Sequence, residues 1–220
     1  MINAIVIMAK APKPNEVKTR LIPHLKPDMA SLLYHNFLLD KIEQVKSIEK
    51  AKFFIAYMPD NSENYFKKIA PNFDLILQIG NVLGDRLVYV SNNLFNKGFK
   101  KVVILDSDTP NLPTEYIRKA IIGLETSDII IGPCEDGGYY LIGLKLPTPD
   151  IFKNIPWSTS KVANITVKRA EAIGLKSSFL KYWYDVDTID DLKRLKKDLE
   201  GSKKKKFSEN TDNFLSKLQI

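Results

Sequence analysis

Cysteine and histidine are scarce: the chain has a single cysteine, Cys134, and two histidines, His24 and His35. One cysteine permits no internal disulfide, and with two scattered histidines it makes no convincing zinc cluster. A reducing cytoplasm is the expected compartment. No apolar run approaches the roughly 20 residues of a membrane span. The N-terminus enters directly into the apolar run Ile2–Met8, without the basic region or cleavage site of a signal peptide. Glycine is also sparse, with ten in 220 residues and neither a G-x-G-x-x-G nor a P-loop among them. Phosphate cradles built from glycine amides are therefore not expected. No internal repeat is visible, and no basic stripe interleaved with aromatics, so the net charge of +7 does not point to nucleic acid. Residues 201–220 carry +3 of that charge, with five lysines against Glu209 and Asp212. The mildly basic remainder suits small anionic substrates.

A hydrophobic content of 44% and 27% charged residues are those of an ordinary globular protein, long enough to bury a real core. The most informative stretch is Lys101 to Pro110. Its apolar run reads as a strand buried on both faces, ending in Asp106-Ser107-Asp108-Thr109-Pro110. If the strand continues through the pair, Asp106 and Asp108 share a face. Two like charges there call for a cation, and Mg²⁺ takes one or two carboxylates and completes its shell with phosphates and water. Ligands of open α/β sheets bind beyond the carboxyl ends of strands, where this pair falls. The plainer reading is a turn, since Asp-Thr-Pro-Asn are common turn formers.

The chain otherwise alternates strand and helix. Ile2–Met8 is a first strand, followed by a loop with two prolines that carries Lys10, Lys13, Lys18 and Arg20. Cationic side chains there form a plausible phosphate loop, with Lys18 and Arg20 together the best candidates. An amphipathic helix is expected over 28–47, strands over 52–58 and 74–78, and a helix from Leu83 ended by Gly98. A further buried strand, 128–133, meets Asp136-Gly137-Gly138, a tight turn whose glycines could admit a ligand or simply close a hairpin. The strand Tyr139–Leu144 then returns antiparallel. A last strand over 179–186 ends in Asp185-Val186-Asp187-Thr188, again two carboxylates on one expected face. Thr188 and Asp191 resemble a capping box for the next helix. The predicted organisation is one α/β domain over residues 1–200. A basic, mobile tail is predicted over 201–220, with a short helix near its end, dispensable for the fold.

Six blocks in order carry a resemblance: Lys18-Thr19-Arg20-Leu21, Leu83-Gly84-Asp85-Arg86, Asp106 to Pro110, Asp136 to Gly143, Trp157-Ser158-Thr159 and Asp185 to Thr188. Over residues 1–199 the chain resembles the domain-of-unknown-function 2064 family of bacteria and archaea. That family is described as glycosyltransferase-like, with some members linked to arsenosugar synthesis, and is similar to the phospholactate guanylyltransferases. Asn15 stands near where the family usually has glycine. The resemblance implies the GT-A fold of nucleotide-diphospho-sugar transferases, a Rossmann-like, mixed but mostly parallel sheet flanked by helices. It implies Mg²⁺ or Mn²⁺ on Asp106, Asp108 and Asp187, with nucleotide contacts from Lys10, Lys18, Arg20, Gln78, Gly84, Asp85 and Arg86. Asp136, Gly137, Gly138 and Trp157 would face an acceptor or sugar, and Lys18, Arg20 and Asp136 would be catalytic. The implied partners are a nucleotide or nucleotide-sugar and a small acceptor. Glycosyl transfer leads as the expected reaction. Nucleotidyl transfer is the alternative favoured by the basic loop, and a catalytically silent nucleotide-binding protein is the third possibility.

Overall fold

The computed structural model describes residues 3–201 and 207–218. Seven strands form one sheet: β1 (Asn3–Lys10), β2 (Ala51–Met58), β3 (Asp74–Leu77), β4 (Val102–Leu105), β5 (Ile129–Pro133), β6 (Tyr139–Leu144) and β7 (Ser177–Phe179). The α-helices are α1 (Pro27–Lys46), α2 (Glu63–Ile69), α3 (Leu83–Asn96), α4 (Thr114–Gly123), α5 (Val162–Ala172), α6 (Ile189–Gly201) and α7 (Glu209–Leu215). Among the described residues, no helix is long and apolar enough to cross a membrane.

Burial on both faces explains why the central strands read as continuous apolar runs. On β1, Ile5, Ile7 and Ala9 join the core beneath α1, α2, α4 and α6, while Ala4 and Val6 join that beneath α3 and α5. On β4, Val103 and Leu105 divide from Val102 and Ile104 in the same way. The result is a three-layer α/β/α molecule. Pro27 opens α1, where its missing N–H costs nothing, and Gly98 follows α3 with φ of +89°.

The strand order is β3-β2-β1-β4-β6-β5-β7, parallel except for β6, which runs antiparallel to both β4 and β5. The chain builds outward from β1 to β3 and then returns to place β4 on the other side of β1. The carboxyl ends of β1 and β4 therefore diverge into loops on opposite courses. This topological switch point is where open α/β sheets bind ligands.

Two expectations need correction. The last strand ends at Phe179 instead of Val186. Beyond it the chain leaves the ladder and touches β5 through Leu180 N to Ile131 O (2.8 Å) and Trp183 N to Pro133 O (3.0 Å), and then crosses toward β4. Nor is the C-terminal region a tail throughout. Residues 207–218 pack α7 onto α1, with Leu215 1% exposed and the Asp40 carboxylate capping the helix start. The expected basic run, Lys203–Lys206, lies outside the described residues.

Candidate active site

Strand β4 ends at Leu105, so Asp106, Ser107 and Asp108 stand in a loop and strand alternation does not govern them. The expectation that the two aspartates share a face is thereby overturned. Asp106 turns inward: its Oδ1 accepts from Thr109 Oγ1 at 2.7 Å. Ligand atoms of Asp106, Cys134 and Asp185 lie within 4.8 Å of one another, and the Cys134 thiol donates to Asp185 at 3.0 Å. Asp108 turns outward onto Lys18. The other acidic pair divides similarly, with Asp185 inside and Asp187 outside. Two tiers result, an inner one of Asp106, Asp185 and Cys134 and an outer one of Asp108 and Asp187.

Lys18 organises the outer tier. Its side chain is 3% exposed, against 39% for Asp108 and 42% for Asp187. Its Nζ pairs with Asp108, lies 3.1 Å from Asp187 Oδ1 and donates to the Val186 carbonyl at 2.8 Å. Phe37 and Tyr34 rings flank the ammonium at 5.5 and 5.9 Å. Burial alone would lower its pKa, but the charges of Asp108 and Asp187 more than offset this and raise it. Lys18 holds a left-handed backbone (φ 48°, ψ 39°), a cost usually met where function requires it. Arg20, the more exposed cation, reaches Asp187 Oδ2 at 3.4 Å. Asn15 has φ of 62°, the conformation a glycine supplies freely and asparagine tolerates, so the first loop keeps a glycine-like turn.

Burial and mutual charge shift the inner tier toward its protonated forms. Burial, then the charge of Asp185, raises Asp106 well above the usual carboxylate range. Burial likewise raises Asp185, to about 6, with Asp108 and Asp136 adding to the effect. Burial and then Asp185 and Asp106 push the Cys134 thiol up. The inner tier thus favours protons, whereas the outer tier holds a cation. Its acceptors are all oxygens, two carboxylates and one backbone carbonyl. That donor set fits hard Mg²⁺ or Mn²⁺ and not a soft metal.

The remaining predicted residues form other groups. Lys10 pairs with Glu16 across its own loop at 3.2 Å. The Gln78 amide nitrogen donates to Ala56 O (2.7 Å) and Ala9 O (3.1 Å), tying together the ends of β1 and β2. Asp85 accepts from the Asn81 and Val82 amides at the start of α3. Arg86 holds the Gly80 carbonyl at 3.1 Å, so these two residues shape the loop after β3. A Cβ on Gly84 would lie 2.6 Å from the Phe152 carbonyl and 3.1 Å from the Trp157 ring, so Trp157 packs on the helix start. Gly137 has φ of +91°, and a Cβ there would collide with the Ser160 backbone. Its close approach is thus to its own chain, and the expected ligand approach at that glycine is corrected. Asp136 is exposed, its Oδ1 accepting from the Gly138 amide at 2.8 Å.

Sequence reasoning passed over Lys41 and Tyr34, and it noted Asp185 and Cys134 without giving either a role at the site. Lys41 is fully buried and donates to Thr109 O (2.7 Å) and Oγ1 (2.9 Å). Its signal is legible, a lysine inside the apolar stripe of Leu38, Ile42 and Val45. Tyr34 shares a 2.7 Å hydrogen bond with Ser107 Oγ.

Residues 41–159 match the model of a family described as uncharacterized and conserved in bacteria, DUF2064. No curated protein matches the chain. A solved structure from Desulfovibrio desulfuricans G20, described as a candidate nucleotide-diphospho-sugar transferase, is 33% identical. The alignment covers 98% of this chain and 95% of that one, with a TM-score of 0.90. A cytidylyltransferase from Leptospira borgpetersenii serovar Hardjo-bovis (14% identity, TM-score 0.57, 100% and 99% coverage) shares the fold. So does 4-diphosphocytidyl-2C-methyl-D-erythritol synthase from Anaerococcus prevotii (10%, 0.60, 90% and 96%).

Proposed function

The chain belongs to the DUF2064 family, and from the geometry of its acidic cluster we propose that it is a metal-dependent transferase acting on an activated nucleotide, with a nucleotide-diphospho-sugar as donor. The observation that carries this reading is the convergence of Asp108 and Asp187, from separate loops, on the buried Lys18 ammonium at the switch point. A divalent cation held by Asp108 and Asp187 would neutralise charge on the diphosphate leaving group.

The other roles fall to the chain's own residues. Arg20 meets phosphate oxygens and stabilises charge as the donor bond breaks, and Lys18 joins it by releasing one of its contacts to Asp108 or Asp187. Asp136 is exposed and carries the role of base, accepting the proton of an acceptor hydroxyl as that oxygen bonds to the sugar carbon. Asp106, the third carboxylate of the expected metal set, stands in the inner tier behind Asp108 and Asp187, its Oδ1 accepting from Thr109 Oγ1. Exposed Ile79 and Val82, in the loop after β3, and Leu83, which opens α3, offer an apolar surface to a base. The fold of the 33% identical relative and its description support the donor class.

One observation favours a second reading. Lys18 and Arg20 approach the carboxylates from the loop after β1, a placement suited to an α-phosphate from which pyrophosphate departs. Incubation with nucleotide-sugars, and separately with nucleoside triphosphates and phosphorylated acceptors, separates the two. Metal-dependent release of nucleoside diphosphate supports glycosyl transfer, and pyrophosphate release supports nucleotidyl transfer. Neither product, with no binding of either nucleotide class, would refute the proposal.

A further inference from the structure

Helix α1 carries Asp40, Lys41 and Gln44 inside its buried face, each at most 1% exposed. Buried polar groups persist where partners satisfy them, and these partners lie in the loop after Asp108 and in the C-terminal segment. Lys41 holds the Thr109 carbonyl at 2.7 Å, and Gln44 Nε2 donates to the Leu112 carbonyl. Between them, the Pro110 carbonyl accepts from Ser208 Oγ at 3.0 Å, with Ser208 6% exposed. Ser208 is fixed in turn because Asp40 Oδ1 accepts from Asn210 N (3.0 Å) and Nδ2 (2.8 Å), and Oδ2 from Thr211 N (2.9 Å). The C-terminal segment thus grips the loop two residues beyond Asp108. Proline has no backbone N–H and a fixed φ, so its carbonyl is the backbone handle available at that position. Downstream, the Asp108 carbonyl accepts from Val186 N at 3.0 Å, which ties Asp108 to the residue before Asp187.

We propose that residues 207–218 are a positioning element of the active site, with Ser208 acting through Pro110 to set Asp108 against Asp187. The proposal rests on the reading of those two aspartates as the cation-holding pair. It places part of the site's precision in a segment beyond residues 41–159, which match the family model.

The test uses the full chain with Ser208→Ala, Ser208→Thr and, as control for the metal reading, Asp108→Asn. Mn²⁺ alone is titrated by the electron paramagnetic resonance of the free ion, melting is followed in parallel, and hydrogen exchange is read at the Val186 amide. Losing one buried hydrogen bond should lower melting by about a few degrees, and, by loosening Asp108, weaken Mn²⁺ binding by roughly three- to tenfold and speed Val186 exchange beyond what the melting shift explains. Ser208→Thr, which keeps the hydroxyl, should restore all three. Wild-type Mn²⁺ affinity and Val186 exchange in Ser208→Ala would overturn the proposal and leave the segment a packing element. If Asp108→Asn binds Mn²⁺ normally, the metal reading fails, and Val186 exchange alone then decides the positioning claim. If Ser208→Ala does not fold, Asp40→Asn loosens the same cap and is read by the same two measurements.

Discussion

At the scale of single residues, the acidic cluster is an arrangement of charges whose worth depends on who neutralises whom. Lys18 stands where a cation is required, and Arg20 extends the same positive edge into solvent. Replacing both by Met keeps their apolar stems. Each charge-assisted phosphate contact contributes roughly 1.5–3 kcal/mol, so nucleotide binding should weaken by at least about tenfold in calorimetry at low salt. Unchanged affinity would mean that these cations serve the fold alone. The inner tier makes a pH prediction. A carboxyl raised to about 6 favours the fold when protonated, so its stabilisation is full below the unfolded value near 3.8 and is lost as pH rises through about 6. Asp185→Asn should therefore melt higher than the metal-free parent at pH 8, by an amount on the order of 2–3 kcal/mol, with the gain vanishing near pH 4. An equal gain at both pH values would show that charge is not the cause. The sequence made Asp108 and Asp187 legible because each ends a recognisable stretch. It concealed the two tiers because strand alternation was extended past Leu105 and Phe179, where both ladders stop.

At the scale of elements, strands and helices follow from periodicity, and the turns between them hold the surprises. The antiparallel β6, the capping of α6 by Thr188 and Asp191 (Thr188 N to Asp191 Oδ2, 2.8 Å) and the glycine after α3 all appear as local chemistry predicts. The Asp-Gly-Gly turn was read from the same chemistry, yet the reason for Gly137 is long-range: the Ser160 backbone fills the space of a side chain, and the Ala163 amide donates to the Gly137 carbonyl at 2.9 Å. Gly137→Ala meets both a positive φ and a collision, and should cost about 1–3 kcal/mol of stability in denaturant unfolding. A variant as stable as the parent would show that the 158–161 turn moves aside freely. The docking of α7 escaped the sequence because its partners are polar. Asp40 and Gln44 look like solvent-facing helix residues until Ser208, Asn210 and Thr211 are set beside the loop after β4.

At the scale of the molecule, β1 and β4 lie side by side at the centre of the sheet, and the loops leaving them supply Lys18 and Arg20 on one side and Asp108 on the other. The segment after β7 crosses over to bring Asp187 to the same place, its register fixed by the Val186 to Asp108 hydrogen bond. The measurement that tests this account most directly is nucleotide binding by Asp108→Asn, with and without Mn²⁺, across the common nucleoside diphosphates. The account predicts that the parent binds at least one of them in a Mn²⁺-dependent way. The Asn variant should lose that dependence while melting, free of metal, at the same temperature or slightly higher, because one repelling charge is gone. An Asn variant that melts lower and binds the Mn²⁺-nucleotide as the parent does would make Asp108 a turn residue and place the metal elsewhere.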